Sequence, residues 1–200
     1  MKIKKLLYPL ALGFTCLSVF GLCLAVRGEE VYRPPLGQGL PKVAGIDISQ
    51  VKYLRAETKP DVNLERSLLQ IHEVKDSVEY EKQSTYSYNL VDLNNDGYPE
   101  AFVNISSLGL CSYRGCLTYV LPSNEKDYQT QVLTVIGGDR TIITSNKTNG
   151  WNDLILFIDK EYYLFQFDGH KYFNTGVLKA TYQINGKVVL ASEDSHHFSF

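Results

Sequence analysis

The sequence predicts an α+β fold: one N-terminal helix packed on a mainly antiparallel meander sheet of about six to eight strands. Three observations carry that expectation. In Asp61 to Val74, Leu64, Leu68, Ile71 and more weakly Leu69 recur at spacings of three and four, as on one face of a helix. From Ser84 onward the pattern turns to alternation and to β-branched and aromatic runs. Turn signals separate those runs with no helical pattern between them, which argues for antiparallel neighbours rather than βαβ units.

The first segment reads as an address. Lys2, Lys4 and Lys5 precede an uncharged run from Leu6 to Val26, and Arg27, Glu29 and Glu30 end it. This is the pattern of a secretory signal, residues 1–25, with small residues near Ala25 for cleavage. The alternative is an uncleaved anchor, because the apolar run is long enough to span a bilayer; Pro9 and the small residues favour cleavage. Lipidation at Cys16 or Cys23 is disfavoured, since Thr15 and Leu22 are poor neighbours for a lipid-modified cysteine. The chain is thus expected to be exported to the periplasm or envelope, touching a membrane only through this segment.

Removing residues 1–25 takes three of the 20 basic residues and none of the 22 acidic ones. An acidic balance argues against a nucleic-acid partner, which would want a basic face. Residues 26–50, with Arg33-Pro34-Pro35 and Gly37-Gln38-Gly39, read as a Pro/Gly-containing linker. Residues 51–200 form one domain. Pro60 and Asp61 supply the start signals of its helix. His72, between apolar positions, reads as a boundary residue.

Strands are expected around Tyr86 to Leu90, Ala101 to Ile105, Cys116 to Leu121, Tyr128 to Ile136, Leu154 to Ile158 and Tyr162 to Phe167. Asn95-Asp96-Gly97, Gly137-Gly138-Asp139, Asn149-Gly150, Asp168-Gly169 and Asn185-Gly186 punctuate them. His196 and His197 lie four residues from the C-terminus and read as a frayed tail. Cys111 and Cys116 are the cysteines left after cleavage. In an exported chain they most simply form one disulfide, pinning a short loop. A redox pair is disfavoured, because four residues intervene and no helix start stabilises a thiolate.

One stretch points to an ion. In Asp92-Leu93-Asn94-Asn95-Asp96-Gly97-Tyr98-Pro99-Glu100, Asp92, Asn94 and Asp96 occupy alternate positions. Gly97 permits a sharp turn, the Tyr98 carbonyl can face inward, and Glu100 adds a third carboxylate. Hard oxygen donors at this spacing suit Ca2+, and three close carboxylates repel unless a cation sits among them. The stretch departs from an EF-hand: Val103 stands where a bidentate glutamate belongs, and the flanks are strands. The competing reading is a metal-free hairpin turn capped by Asx side chains.

With these residues on the page, the chain resembles a group of uncharacterised bacterial exported proteins. They carry a single FG-GAP/VCBS-like D-x-N-x-D-G-x-x-E loop, then a C-x4-C loop, then an N-G-W-x-D-L hairpin and F-D-G-x-x-Y. The likeness runs from Tyr88 to Tyr172 and covers Asn149 to Leu154 and Phe167 to Tyr172. Asn95 and the bulky Ser112-Tyr113-Arg114 depart from it. The resemblance implies an address and a fold, and no activity.

No nucleophile elbow, zinc-protease pair, phosphate loop or dinucleotide fingerprint occurs in the sequence. The expected function is therefore a non-enzymatic exported binding protein of the bacterial envelope. Its partner would be an unidentified protein or envelope macromolecule, and Ca2+ would be structural. Tyr113, Arg114 and Trp151 are the candidate interface residues, since aromatic and Arg side chains are enriched in binding surfaces. The alternative is a hydrolase of cell-wall or glycan substrates using Asp92, Glu100 and Asp153. It requires two carboxylates about 5–10 Å apart in an open cleft.

Overall fold

A computed structural model describes residues 39–71, 84–107, 110–112, 115–125, 127–137, 140–190 and 196–197. The expected signal (1–25), most of the expected linker, His72, Tyr113 and Arg114 lie outside the described residues. Every described element lies within residues 31–200.

The fold is mainly β, which corrects the α+β expectation. The described residues form twelve strands and one helix of 10 residues, and the strands make two sheets rather than one of six to eight strands. The first sheet contains β1 (Ile46–Leu54), β7 (Arg140–Thr148), β8 (Trp151–Ile158), β9 (Glu161–Phe167), β10 (Tyr172–Val177) and β11 (Tyr182–Leu190), ordered β1-β11-β7-β8-β9-β10. The run β7-β8-β9-β10 is the meander that the turn signals imply; Asn149 and Gly150 both take positive φ, 51° and 85°, in its first hairpin. β1 departs from the antiparallel rule and pairs parallel with β11.

The second sheet holds β2 (Thr85–Val91), β3 (Glu100–Ser106), β4 (Cys111–Ser112), β5 (Gly115–Leu121), β6 (Thr134–Gly137) and β12 (His196–His197). β2, β3, β5 and β6 are antiparallel neighbours in that order. Cys111 and Cys116 face each other across the β4–β5 hairpin and are joined by a disulfide. His196 and His197 are not a frayed tail: their backbone pairs with Tyr86 and Thr85.

Alternation along the strands explains the layers. On β3, Phe102 faces one way and Ala101, Val103 and Ile105 the other. Phe102 and Val120 join Ile143, Leu154, Leu156, Phe167 and Val189 of the first sheet in one cluster, so the two sheets share a core. The other face of the second sheet, with Tyr86, Tyr88, Val103, Ile105 and Leu121, is covered by α1 (Val62–Ile71) through Leu64 and Leu68, both 0% exposed. Asp61 caps that helix, its Oδ1 accepting from Asn63 N at 2.9 Å and Leu64 N at 3.1 Å. The outer face of the first sheet carries Ile142, Ile155, Tyr162, Ile184 and Val188, clustered with Leu40. Tyr162 donates to the Pro41 carbonyl at 2.7 Å. Residues 40–50, read from composition as linker, thus contribute a buried leucine and half of β1.

Strands β1, β7, β10 and β11 escaped the sequence reading for a shared reason. RTIITSNKT, YFNTGV and much of IDISQVKYL put polar or glycine residues on exposed positions. Ladder partners complete them as strands. Among the described residues no helix is long and apolar enough to cross a membrane.

Candidate functional site

The Asp-rich loop closes the β2–β3 hairpin, where Val91 pairs with Glu100. Its conformation follows from its own side chains. Asp92 accepts from Asn95 N through Oδ1 at 2.7 Å and from Gly97 N through Oδ2 at 3.0 Å. Asn94 Oδ1 accepts from Asp96 N at 2.9 Å, and Asp96 Oδ1 accepts from Tyr98 N at 2.7 Å. Asp96 Oδ2 accepts from the Asn94 amide at 2.8 Å. Asn95 and Gly97 take positive φ, 65° and 89°, which Asn tolerates and Gly permits.

Leu93 turns inward and is fully buried in the inter-sheet core, while its carbonyl accepts from Asn152 N of β8 at 2.8 Å. One loop residue therefore bolts the hairpin of the second sheet to the hairpin of the first. Ser123 Oγ donates to the Pro99 carbonyl at 2.8 Å and holds the far side of the loop.

Glu100 is 1% exposed, and its Oε2 accepts from Leu93 N at 2.8 Å. Burial pushes its carboxyl up to about 7; amide hydrogen bonds from Leu93 and Glu100 itself oppose that, and the charges of Asp96 and Asp92 add to it. Asp96 and Asn94 share with it a cavity of about 290 Å³. Trp151, Phe167, Gly169 and His170 form another side, and Ser123, Gln129, Gln131 and Leu133 complete the lining with Pro122. Trp151 stacks on Phe167 with ring centroids 4.6 Å apart, and Phe167 meets Tyr172 at 5.4 Å. Tyr172 donates to the Asn152 carbonyl at 2.8 Å, tying β10 under the same corner.

Three stretches singled out in sequence, Asp92 to Glu100, Asn149 to Leu154 and Phe167 to Tyr172, converge on this one cavity. None of the described residues of the cysteine hairpin lines it. Asp92 borders a different cleft, beside Lys52, Lys187 and Asn152. Asp153 is buried on β8; its Oδ2 meets Gln166 Nε2 at 3.3 Å and its Oδ1 has no hydrogen-bond partner. Asp92, Glu100 and Asp153 therefore do not face one another across a single cleft.

Among the described residues no three His, Cys, Asp or Glu side chains are gathered to hold a metal ion. The loop oxygens are engaged with amides, yet a carboxylate oxygen that accepts one N–H retains a lone pair. Of the expected donors, Asn94, Asp96 and Glu100 line the one cavity and Asp92 borders the other cleft.

Gln129 and Gln131 were not foreseen. They lie in the stretch read as a strand from Tyr128 to Ile136, where only Thr134 onward is strand; Gln129 N instead bonds the Pro122 carbonyl at 2.8 Å. Nothing in their local sequence marks them. His170, read as an exposed turn residue, is exposed and stands at the cavity's edge.

The fold and site define a class, a two-sheet β protein whose Asp-rich hairpin and aromatic hairpins enclose a polar cavity. No protein-family model, curated protein or solved structure matches the chain.

Proposed function

We propose that this chain is a non-enzymatic exported binding protein of the bacterial envelope, in which the loop at Asp92–Glu100 takes a structural Ca2+. The observation that carries the reading is the convergence of the loop with Trp151 and His170 around one cavity. The loop is bolted through Leu93 to β8 and sets one wall of that cavity, so an ion there would rigidify the binding surface rather than react. The buried, upshifted Glu100 carboxyl beside Asp96 and Asp92 supports the ion, because a cation relieves their mutual repulsion. The disulfide is compatible with an oxidising compartment. The same motifs carry the resemblance to FG-GAP/VCBS-like exported proteins.

Thermal unfolding of the oxidised protein in EDTA and then in millimolar calcium tests this. A site saturated a hundredfold stabilises by about 2.7 kcal/mol, a rise of several degrees in Tm for this size. The shift is expected to vanish in Asp96→Ala. An unchanged Tm in the parent protein would sink the ion.

One observation favours a second reading, hydrolysis of a cell-wall glycan. Glu100 is buried with a carboxyl raised to about 7, as a general acid requires. Against it, the oxygens of Asp96, the carboxylate that shares its cavity, are engaged within the loop. Release of soluble fragments from purified cell wall, abolished by Glu100→Gln, would establish hydrolysis over binding.

A further inference from the structure

We infer that the cavity beside the Asp-rich loop binds one pyranose ring of a glycan, with Trp151 as its platform. The inference deepens the binding reading above and rests on it. The cavity's volume of about 290 Å³ lies at the lower end of small-molecule sites, roughly 300–1,000 Å³, and suits a single ring with its neighbours left outside. Its lining joins two kinds of group that a sugar needs together. Trp151, backed by Phe167 at 4.6 Å, supplies a rigid apolar surface for the C–H face of a ring. Gln129, Gln131 and His170 line the same cavity. Among the described residues none of these three side chains makes a hydrogen bond within the chain, so each is available to a hydroxyl.

The charge pattern argues against an anionic ligand. Among the described residues no lysine or arginine lines the cavity, which leaves an anion without a partner there. A neutral polyhydroxylated ring fits what remains.

Trp151 is the only tryptophan of the chain, so its emission reports on this cavity alone. The test titrates the protein, in the form its cell exports, with chitotetraose and in parallel with maltotetraose, each in EDTA and in calcium. The expected result is a saturable change in Trp151 emission with at least one tetrasaccharide. The double variant Gln129→Ala/Gln131→Ala should weaken that binding about tenfold or more while its Tm stays with the parent. No saturable response to either sugar, or a response the double variant leaves unchanged, overturns the inference. So does a response to choline in place of both sugars, which would assign the cavity to a cation. A calcium-dependent Tm without sugar binding would leave the ion site standing and remove only the glycan. Sugar binding without a calcium shift would do the reverse.

Discussion

Glu100 concentrates the chemistry of the loop in one residue. Burial raises its carboxyl from 4.5 to about 7, and Asp96 and Asp92 push the same way. The folded protein therefore holds a proton that the unfolded chain releases between those values. Where the native state binds more protons, stability falls as pH rises. In EDTA, stability should decline as pH climbs from the unfolded value through about 7, by on the order of 3 kcal/mol in all. Glu100→Gln should flatten that slope and leave the protein more stable than the parent on the alkaline side. Urea midpoints measured on both sides of neutrality decide it; an equal slope in parent and variant would show that Glu100 is not the group responsible. Much at this scale was legible in sequence, because Asx turns and positive-φ glycines are local chemistry. The burial of Glu100 was not, since it depends on how the hairpin packs against the first sheet, where the Leu93 carbonyl accepts from Asn152 N.

At the scale of the element, the helix and the hairpins divide the same way. The spacing of Leu64 and Leu68 marked the helix, and both prove fully buried against Tyr86 and Val103. Leu69, the weaker member of the pattern, is 39% exposed. Leu68→Ala is expected to cost about 2–5 kcal/mol, and Leu69→Ala to stay within about 0.5 kcal/mol. Comparable losses in chemical denaturation would show that the helix docks on a different face. The Asn149-Gly150 hairpin was readable from its dipeptide. The parallel pairing of β1 with β11 was not, because Asp47, Ser49, Gln50 and Lys52 give the strand a loop-like composition on its exposed positions. On the other side of β11, a Cβ added at Gly186 would collide with the Ile143 carbonyl oxygen of β7.

For the whole molecule, the question is whether two sheets behave as one cooperative unit. Phe102 of the second sheet sits 2% exposed among Ile143, Leu154 and Phe167 of the first. Phe102→Ala should cost about 3–5 kcal/mol. Trp151 emission, reporting the first sheet, and far-ultraviolet circular dichroism should move to the new midpoint together. Midpoints that separate would mean that the sheets unfold independently.

By itself the sequence determined most of the local events: where the helix starts, which cysteines face each other, and where the chain turns at Asn95-Asp96-Gly97, Asn149-Gly150 and Asp168-Gly169, whereas Asn185-Gly186, read as a turn, lies inside β11. Each depends on residues within a few positions of one another. It also led to the wrong class, since one helical pattern before a run of strands reads as α+β when the number of sheets is unknown. Only the tertiary structure decided that the strands divide into two sheets, that β1 returns to pair with β11, and that three separated motifs enclose one cavity. Those outcomes turn on which alternating face meets which partner across the core, and burial between sheets is a property of the assembled surfaces rather than of any stretch of chain.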